Sequence, residues 1–381
     1  MPLPTLTLRP APSSSPQFGK AAWSCGSLTP EAAWRGGLAT VAARAAGGPQ
    51  DLAKVMVAGE ILQDPSAMPG ATGPESPDTW LQRIRAAYAP GASVLFYARD
   101  LPRHDRALFE ILLSAAGPVF ADSGLSRRDV DVELFYGDYR ATPGGIHREY
   151  CANSHFVLAG RKFMHFWSGD DWIPAGTERD HAGGPVGDSE EEYLPSLGVE
   201  SVSAHGTTLP AGPGELFEWG NGVWHVGETD AGPALAINLA RYMSSFDPGE
   251  RAFRLDAGPD GEVVPDWLAA YRAYRTDDLT ADSALAAASA YGIPGAEPDR
   301  AIAGVPSPTR VTATTHAPLL WCRDGDELLV ATHGRARRFP ARNAPWLREF
   351  AALSVGAATT VPNGAEPLAT WLVVHSALSA A

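Results

Sequence analysis

Cysteine is scarce in this chain of 381 residues. Cys25, Cys151 and Cys322 are odd in number, widely spaced and form no CxxC pair, which argues against a disulfide framework or a zinc cluster. Charge is also thin. Only 19% of residues are Asp, Glu, Lys or Arg, and the formal balance is −14. A chain of that sign repels phosphate backbones, so no nucleic-acid partner is expected. The sequence has no basic stretch followed by an apolar run, and no run long enough to span a bilayer. Neither a leader nor a membrane partner is expected, and a reducing cytoplasm is the compartment this implies. No internal repeat of fixed period is present.

Glycine (39) and proline (33) are abundant, and 45% of residues are hydrophobic. That mixture suits short strands joined by turns around a sizeable core. The length suggests two or three units. Residues 1–20 form a Pro/Ser-rich tail expected to be disordered. Thr29-Pro30-Glu31 opens a helix running to Ala46, and a Pro/Gly-rich loop covers 64–77. Asp78 caps a second helix carrying Trp80, Leu81, Ile84 and Tyr88, and a third is predicted from Arg103 to Ala116. Residues 21–118 are thus expected to pack, as a helical or mixed segment, on a strand-rich region that begins near residue 119.

From Asp129 the period changes to two. Val130, Val132, Leu134 and Tyr136 alternate with Asp131, Glu133 and Phe135. Further strands are predicted over 146–158, 161–167, 199–208, 214–219, 222–227 and 234–243, an antiparallel barrel or sandwich over 119–246. The insertion from Ser168 to Gly198 carries Asp170, Asp171, Glu178, Asp180, Asp188, Glu190, Glu191 and Glu192, and reads either as a solvated loop or as a lid. Helices follow over 247–293. There Trp267, Leu268, Tyr271 and Tyr274 form a stripe broad enough to pair two copies of the chain, so a homodimer is an expectation. After a linker at 294–308 comes a small winged-helix-like module, 309–381, with a hairpin turn at Asp324-Gly325-Asp326 and a helix from Pro345 to Leu353.

The chemistry concentrates in Gly144-Gly145-Ile146-His147-Arg148-Glu149-Tyr150 and, much later, Trp224-His225-Val226. On a strand His147 and Glu149 point to the same face and can reach one ion. A His from a distant strand would complete a 2-His-1-carboxylate set with three coordination positions open, the arrangement that suits non-haem Fe(II) and O₂ chemistry. An isolated His-x-Glu is a weak signal. Its weight here comes from the Gly144-Gly145 turn before it and the strand-turn-strand pattern that delivers His225.

With these residues the chain resembles the JmjC/cupin group of Fe(II)- and 2-oxoglutarate-dependent oxygenases, in its asparaginyl-hydroxylase and bacterial ribosomal-oxygenase branches. In that group a basic residue fifteen positions after the first His binds the distal carboxylate of 2-oxoglutarate, and Lys162 stands there, in Leu158-Ala159-Gly160-Arg161-Lys162-Phe163. Asn153 matches a co-substrate-contacting Asn six residues after the first ligand, and Asn238, in Ile237-Asn238-Leu239, resembles another that follows the last His. The likeness covers about 120–245. The carboxylate is Glu where the nearest hydroxylases often have Asp. The Thr or Tyr that assists the basic residue has only Tyr136 and Tyr139 as counterparts. The resemblance implies a double-stranded β-helix of the cupin/JmjC jelly-roll type, mainly β with flanking helices. It further implies a metal site of His147, Glu149 and His225, co-substrate contacts from Lys162, Asn153 and Asn238, and Fe(II), 2-oxoglutarate and O₂ as the reacting set. The implied reaction is hydroxylation of an amino-acid side chain in a peptide or protein, a peptide natural product being one form of such a substrate. The acidic insertion favours a basic one. Rival readings are a metal-binding cupin of another enzyme class and a non-catalytic, effector-binding regulator.

Other residues read more plainly. Cys151 shares the parity of His147 and Glu149, but a small buried hydrophobe is its expected role. His155 is expected behind the ligands or in the core, and His165 and His205 as ordinary barrel residues. Trp219 and Trp224 are expected in the core or at the rim, and Arg335, Arg337 and Arg338 on a solvated hairpin.

Overall fold

A computed structural model describes residues 18–23, 26–71, 73–88, 90–142, 144–183, 189–230, 232–247, 252–295, 307–313, 318–353, 356–375 and 378–380. Most of the predicted tail and linker, with Cys25 and Asp188, lies outside them. The chain forms two units, Met1–Asp105 with Asp131–Glu250, and Arg106–Val130 with Arg251–Ala381. Residues 106–130, which the sequence divides at 118/119, therefore go with the second unit.

The first unit contains β1 (Phe18–Ala22), β2 (Ala53–Val57), β3 (Glu60–Ile61), β4 (Val94–Ala98), β5 (Asp131–Asp138), β6 (His147–Glu149), β7 (Cys151–Ala159), β8 (Lys162–Trp167), β9 (Asp180–Gly183), β10 (Ser189–Tyr193), β11 (Thr207–Ala211), β12 (Glu215–Trp219), β13 (Trp224–Thr229) and β14 (Ala234–Tyr242). They form an eight-stranded sheet, β1-β12-β7-β14-β5-β4-β2-β3, and a six-stranded sheet, β11-β8-β13-β6-β10-β9. Without the additions at their margins, two four-stranded antiparallel sheets remain, β12-β7-β14-β5 and β11-β8-β13-β6. From β5 to β14 the chain passes from one sheet to the other at nearly every connection. That winding is the double-stranded β-helix, the jelly roll expected from the resemblance.

The pleat decides what each sheet presents. On β5 the apolar residues Val132, Leu134 and Tyr136 turn away from the barrel. Tyr136 meets Trp34, from the helix Pro30–Ala45, with ring centroids 5.4 Å apart. Trp80, from the helix Pro77–Ala87, completes that layer at 5.6 Å from Phe96. Ser76, not Asp78, caps this second helix, because its hydroxyl accepts the Thr79 N–H and Pro77 takes the first helical position. The alternate residues of β5 face inward. Val157, Met164, Phe166, Phe217, Trp219 and Val223 pack as one buried cluster.

The sequence and the structure part at several places. The third helix is two, Leu101–His104 and Arg106–Ser123, with Asp105 between them. The strand predicted over 199–208 begins as the short helix Val199–Val202, and only Thr207–Ala211 is β11. Val199 and Val202 stand three apart, a helical spacing, and both join the cluster around Trp224. The acidic insertion is not a plain loop. Within it β9 and β10 form a hairpin, and β10 pairs with β6, setting Glu191, Glu192 and Tyr193 beside Glu149, Arg148 and His147.

In the second unit the helices Pro265–Tyr274 and Ala281–Ala288 precede β15 (Arg310–Ala313), β16 (Leu320–Asp324), β17 (Glu327–Thr332), β18 (Arg335–Pro340), the helix Ala344–Ala351, β19 (Ala358–Thr360), the helix Glu366–Val374 and β20 (Leu378–Ala380). The strands make two three-stranded antiparallel sheets, β19-β15-β20 and β16-β17-β18. The turn at Gly325-Asp326 joins β16 to β17, as Asp-Gly predicts. Trp321, Leu347, Leu368 and Leu372 are at the centre of this core. The stripe expected to pair two copies is covered by its own chain: Trp267 and Tyr271 pack on Phe253, and Tyr271 is fully buried. That stripe therefore gives no reason to expect a homodimer. No helix among the described residues is long and apolar enough to cross a membrane.

Candidate metal centre

His147 and Glu149 sit on β6, and His225 on β13 is paired directly with His147. The turn that delivers His225 is tightly held. Asn221 Nδ2 donates to Ser245 O (2.8 Å) and Asp247 O (2.7 Å). Gly222 N donates to Glu149 O (2.8 Å), so this turn and the carboxylate strand are tied together. Gly222 has φ +74°, and a Cβ there would fall 2.0 Å from Phe246 O, so only glycine fits.

The ligand atoms of His147, Glu149 and His225 lie within 4.8 Å of one another. Nδ1 of His147 is 2.9 Å from Gly145 O, and Nδ1 of His225 is 2.9 Å from Val223 O. A carbonyl only accepts, so each Nδ1 carries the proton and each Nε2 presents a lone pair. Those two nitrogens face the two oxygens of Glu149, each at 3.9 Å, too long for a hydrogen bond. Burial holds both imidazoles below their ordinary pKa, His225 furthest. Three electron-pair donors thus converge without a proton between them. Two neutral imidazoles and a carboxylate fit a divalent transition metal such as Fe(II).

These residues line a cavity of about 380 Å³. Lys162 reaches it from β8 and is 1% exposed. It is one of three lysines in the chain, with Lys20 and Lys54, against many arginines. Its Nζ lies 2.8 Å from His155 Nε2 and 5.1 and 5.3 Å from the ring centroids of Phe135 and Tyr139. No carboxylate among the described residues pairs with it, and burial pushes its ammonium down to about 7. A cation placed this way needs an anion. Thr142, which also lines the cavity, has a buried hydroxyl without a hydrogen-bond partner.

The two asparagines come together. Asn238 Nδ2 donates to Asn153 Oδ1 (2.8 Å) and Glu133 Oε2 (2.9 Å), and Asn153 Nδ2 donates to Glu149 Oε2 (3.3 Å). Asn238 lines the cavity, while Asn153 is spent on the carboxylate ligand and on Cys151 O. Of the tyrosine counterparts, Tyr136 faces the helices and donates to Asp78 (3.0 Å), whereas Tyr139 lies against Lys162. Cys151 is buried with Ala240 and Tyr242, away from the cavity. His165 bonds Thr208 (2.8 Å), and His205 is exposed at the end of a 3-10 turn and is no barrel residue. Trp219 lines the cavity 4.7 Å from the His225 ring, while Trp224 packs outside it and donates to Asp170 (2.8 Å).

Several cavity residues had no assigned role in the sequence. Glu133 on β5 accepts from Tyr97 Oη (2.5 Å), and burial, with Glu149 and Asp131 nearby, raises its carboxyl to about 7. Its signal was the inward parity of a strand whose apolar parity belongs to the helices. Tyr97 lies on β4, announced by Val94-Leu95-Phe96-Tyr97-Ala98 between turn residues. Glu191 and Tyr193 come from the acidic insertion, and Tyr193 donates to Glu191.

No protein-family model matches the sequence, and no curated protein matches it. Similarity is found among solved structures. The Escherichia coli ycfD structure is 14% identical, over 95% of this chain and 94% of that one, with a TM-score of 0.43. YcfD, a ribosomal oxygenase from Escherichia coli, in complex with cobalt and succinic acid is 11% identical over 93% and 91%, with a TM-score of 0.44. The same oxygenase with cobalt and 2-oxoglutarate is 12% identical over 93% and 91%, with a TM-score of 0.40.

Proposed function

We propose that this chain is an Fe(II)- and 2-oxoglutarate-dependent oxygenase that hydroxylates an amino-acid side chain of a peptide or protein. The observation that carries the reading is the meeting in one cavity of three proton-free ligand atoms and a buried lysine lacking an anionic partner. His147, Glu149 and His225 would hold iron, with Asn153 orienting Glu149. Lys162 would receive the distal carboxylate of the 2-oxo acid, with the Thr142 hydroxyl within the same cavity. Held there by these residues, iron with the 2-oxo acid would supply the O₂ activation that such a hydroxylation needs, the 2-oxo acid leaving as succinate and CO₂. A buried aromatic and aliphatic cluster, with Met164 and Trp219 lining the cavity, would exclude bulk water from that side. A basic side chain is the favoured substrate, because Glu133 and Glu191 face the cavity with only neutral hydroxyl and amide donors among the described residues.

The test is anaerobic. Fe(II) and 2-oxoglutarate are added together, and the weak visible charge-transfer band of the ferrous chelate is followed, then slow release of succinate after air is admitted. A band with turnover supports the oxygenase. Metal binding with no response to 2-oxoglutarate would favour another cupin class, and binding of neither would favour a non-catalytic regulator.

A further inference from the structure

We propose that His155 is a positioning residue for the co-substrate, holding Lys162 in aim at the incoming carboxylate while leaving its charge unneutralised. This rests on the oxygenase reading. His155 lies on β7 opposite Asn238, walled by the rings of Phe135, Phe217 and Trp219 at 5.5, 6.2 and 6.1 Å. The ring is fixed from several sides, so its Nε2 is a fixed acceptor for Lys162 at 2.8 Å. An ammonium has three donors and no acceptor. One goes to His155, and the aromatic faces of Phe135 and Tyr139 steer the rest. Two N–H bonds remain for a ligand in the cavity.

The choice of imidazole matters chemically. Burial and the neighbouring Lys162 hold His155 well below the usual imidazole range, so it stays neutral. A carboxylate at this position would satisfy Lys162 within the protein and remove the demand for an external anion. An aliphatic residue would leave the amine without an acceptor, free to turn and to lose its proton. A neutral, rigid acceptor does neither. The distal carboxylate then completes an ion pair in a site already dry.

The test uses the full chain loaded with Mn(II), so that no turnover is needed. Binding of 2-oxoglutarate is measured by calorimetry beside 2-oxobutyrate, which lacks the distal carboxylate. His155→Gln, which keeps an acceptor at similar reach, is expected to stay within threefold of the parent for 2-oxoglutarate. His155→Leu is expected to weaken 2-oxoglutarate at least tenfold and 2-oxobutyrate little, and His155→Glu to weaken 2-oxoglutarate furthest. Equal losses for both ligands, or Leu binding as well as Gln, would overturn the proposal while leaving the oxygenase reading intact. If the parent protein binds Mn(II) but not 2-oxoglutarate, the reading itself fails, and the proposal with it.

Discussion

His147 and His225 stand opposite each other across the β6–β13 ladder with their ring centroids 4.3 Å apart, and both present Nε2 to Glu149. Each Nδ1–H is committed to a carbonyl two residues back, so neither ring needs to turn to accept an ion. We expect His147→Ala, Glu149→Ala and His225→Ala each to abolish turnover and stoichiometric metal binding, with circular dichroism unchanged. A Glu149→Ala protein that retains iron and releases succinate would remove Glu149 from the ligand set.

Lys162 supplies a pH signature. Its ammonium, pushed down to about 7 by burial, must be protonated to pair with a carboxylate. Affinity for 2-oxoglutarate should be full below pH 7 and fall as pH rises above it. Among the other titratable groups lining the cavity, Glu133 also lies at about 7, and its ionisation acts in the same direction; Glu133→Gln isolates the Lys162 effect. Lys162→Met should weaken 2-oxoglutarate by about two to nearly four orders of magnitude, in keeping with about 3–5 kcal/mol for deleting one partner of a buried pair. The same variant should be more thermostable than the parent without ligand. The folded-state value lies below the unfolded one, so the cost of charging Lys162 is full below pH 7 and fades as pH rises towards the unfolded value. The stability gain should therefore shrink in alkaline buffer. A gain independent of pH would mean that Lys162 stays charged in the fold across the range, its pKa not lowered by burial.

Glu192 ties the insertion to the metal strand. It is 3% exposed and pairs with Arg148 (2.5 Å) and Arg179 (2.7 Å), and Arg148 sits between the two β6 ligands over the Trp224 and Phe246 rings. Glu192→Gln should destabilise the protein towards the lower end of about 3–5 kcal/mol, since Asp170 still holds Arg148 at 3.0 Å. It should also weaken metal binding, read by competition with a chromophoric chelator. Unchanged metal affinity in a destabilised variant would confine Glu192 to the fold.

Much of the site was legible because strand geometry is strict. A period of two puts His147 with Glu149 and fixes the parity of Lys162 and Asn153, whatever the rest of the chain does. What the sequence hid depends on which face is the inside. Val132, Leu134 and Tyr136 look like the core face of β5, yet they serve the helical layer, and Glu133 lines the cavity. Local composition misled at 168–198, where an acidic, Gly/Pro-rich stretch reads as solvated. Pairing with β6 makes part of it a strand, because Arg148 and Arg179 neutralise Glu192. The role of His155 was hidden for another reason: seven residues of sequence and a change of sheet separate it from the Lys162 it holds.

The acidic insertion carries the last prediction. Its charge is smaller than its composition suggests, since Asp170 and Glu192 are consumed by Arg148 and Arg179. Asp171, Glu178 and Asp180 remain exposed, and Glu191 faces the cavity beside Tyr193. Exposed acids of this kind would attract a cationic substrate through solvent, an attraction screened over about 8 Å at physiological ionic strength. For an Arg- or Lys-rich peptide substrate, kcat/KM should fall as salt rises from low to physiological, while kcat at saturation stays flat. Neutralising the exposed members as Asp171→Asn with Glu178→Gln should flatten the salt response without touching 2-oxoglutarate binding. Glu191→Gln should instead raise KM at every salt concentration, because its carboxylate would act on the bound side chain at close range. A salt-independent kcat/KM in the parent would leave the exposed acids no part in recognition. An unchanged KM in Glu191→Gln would move the cationic contact to Glu133.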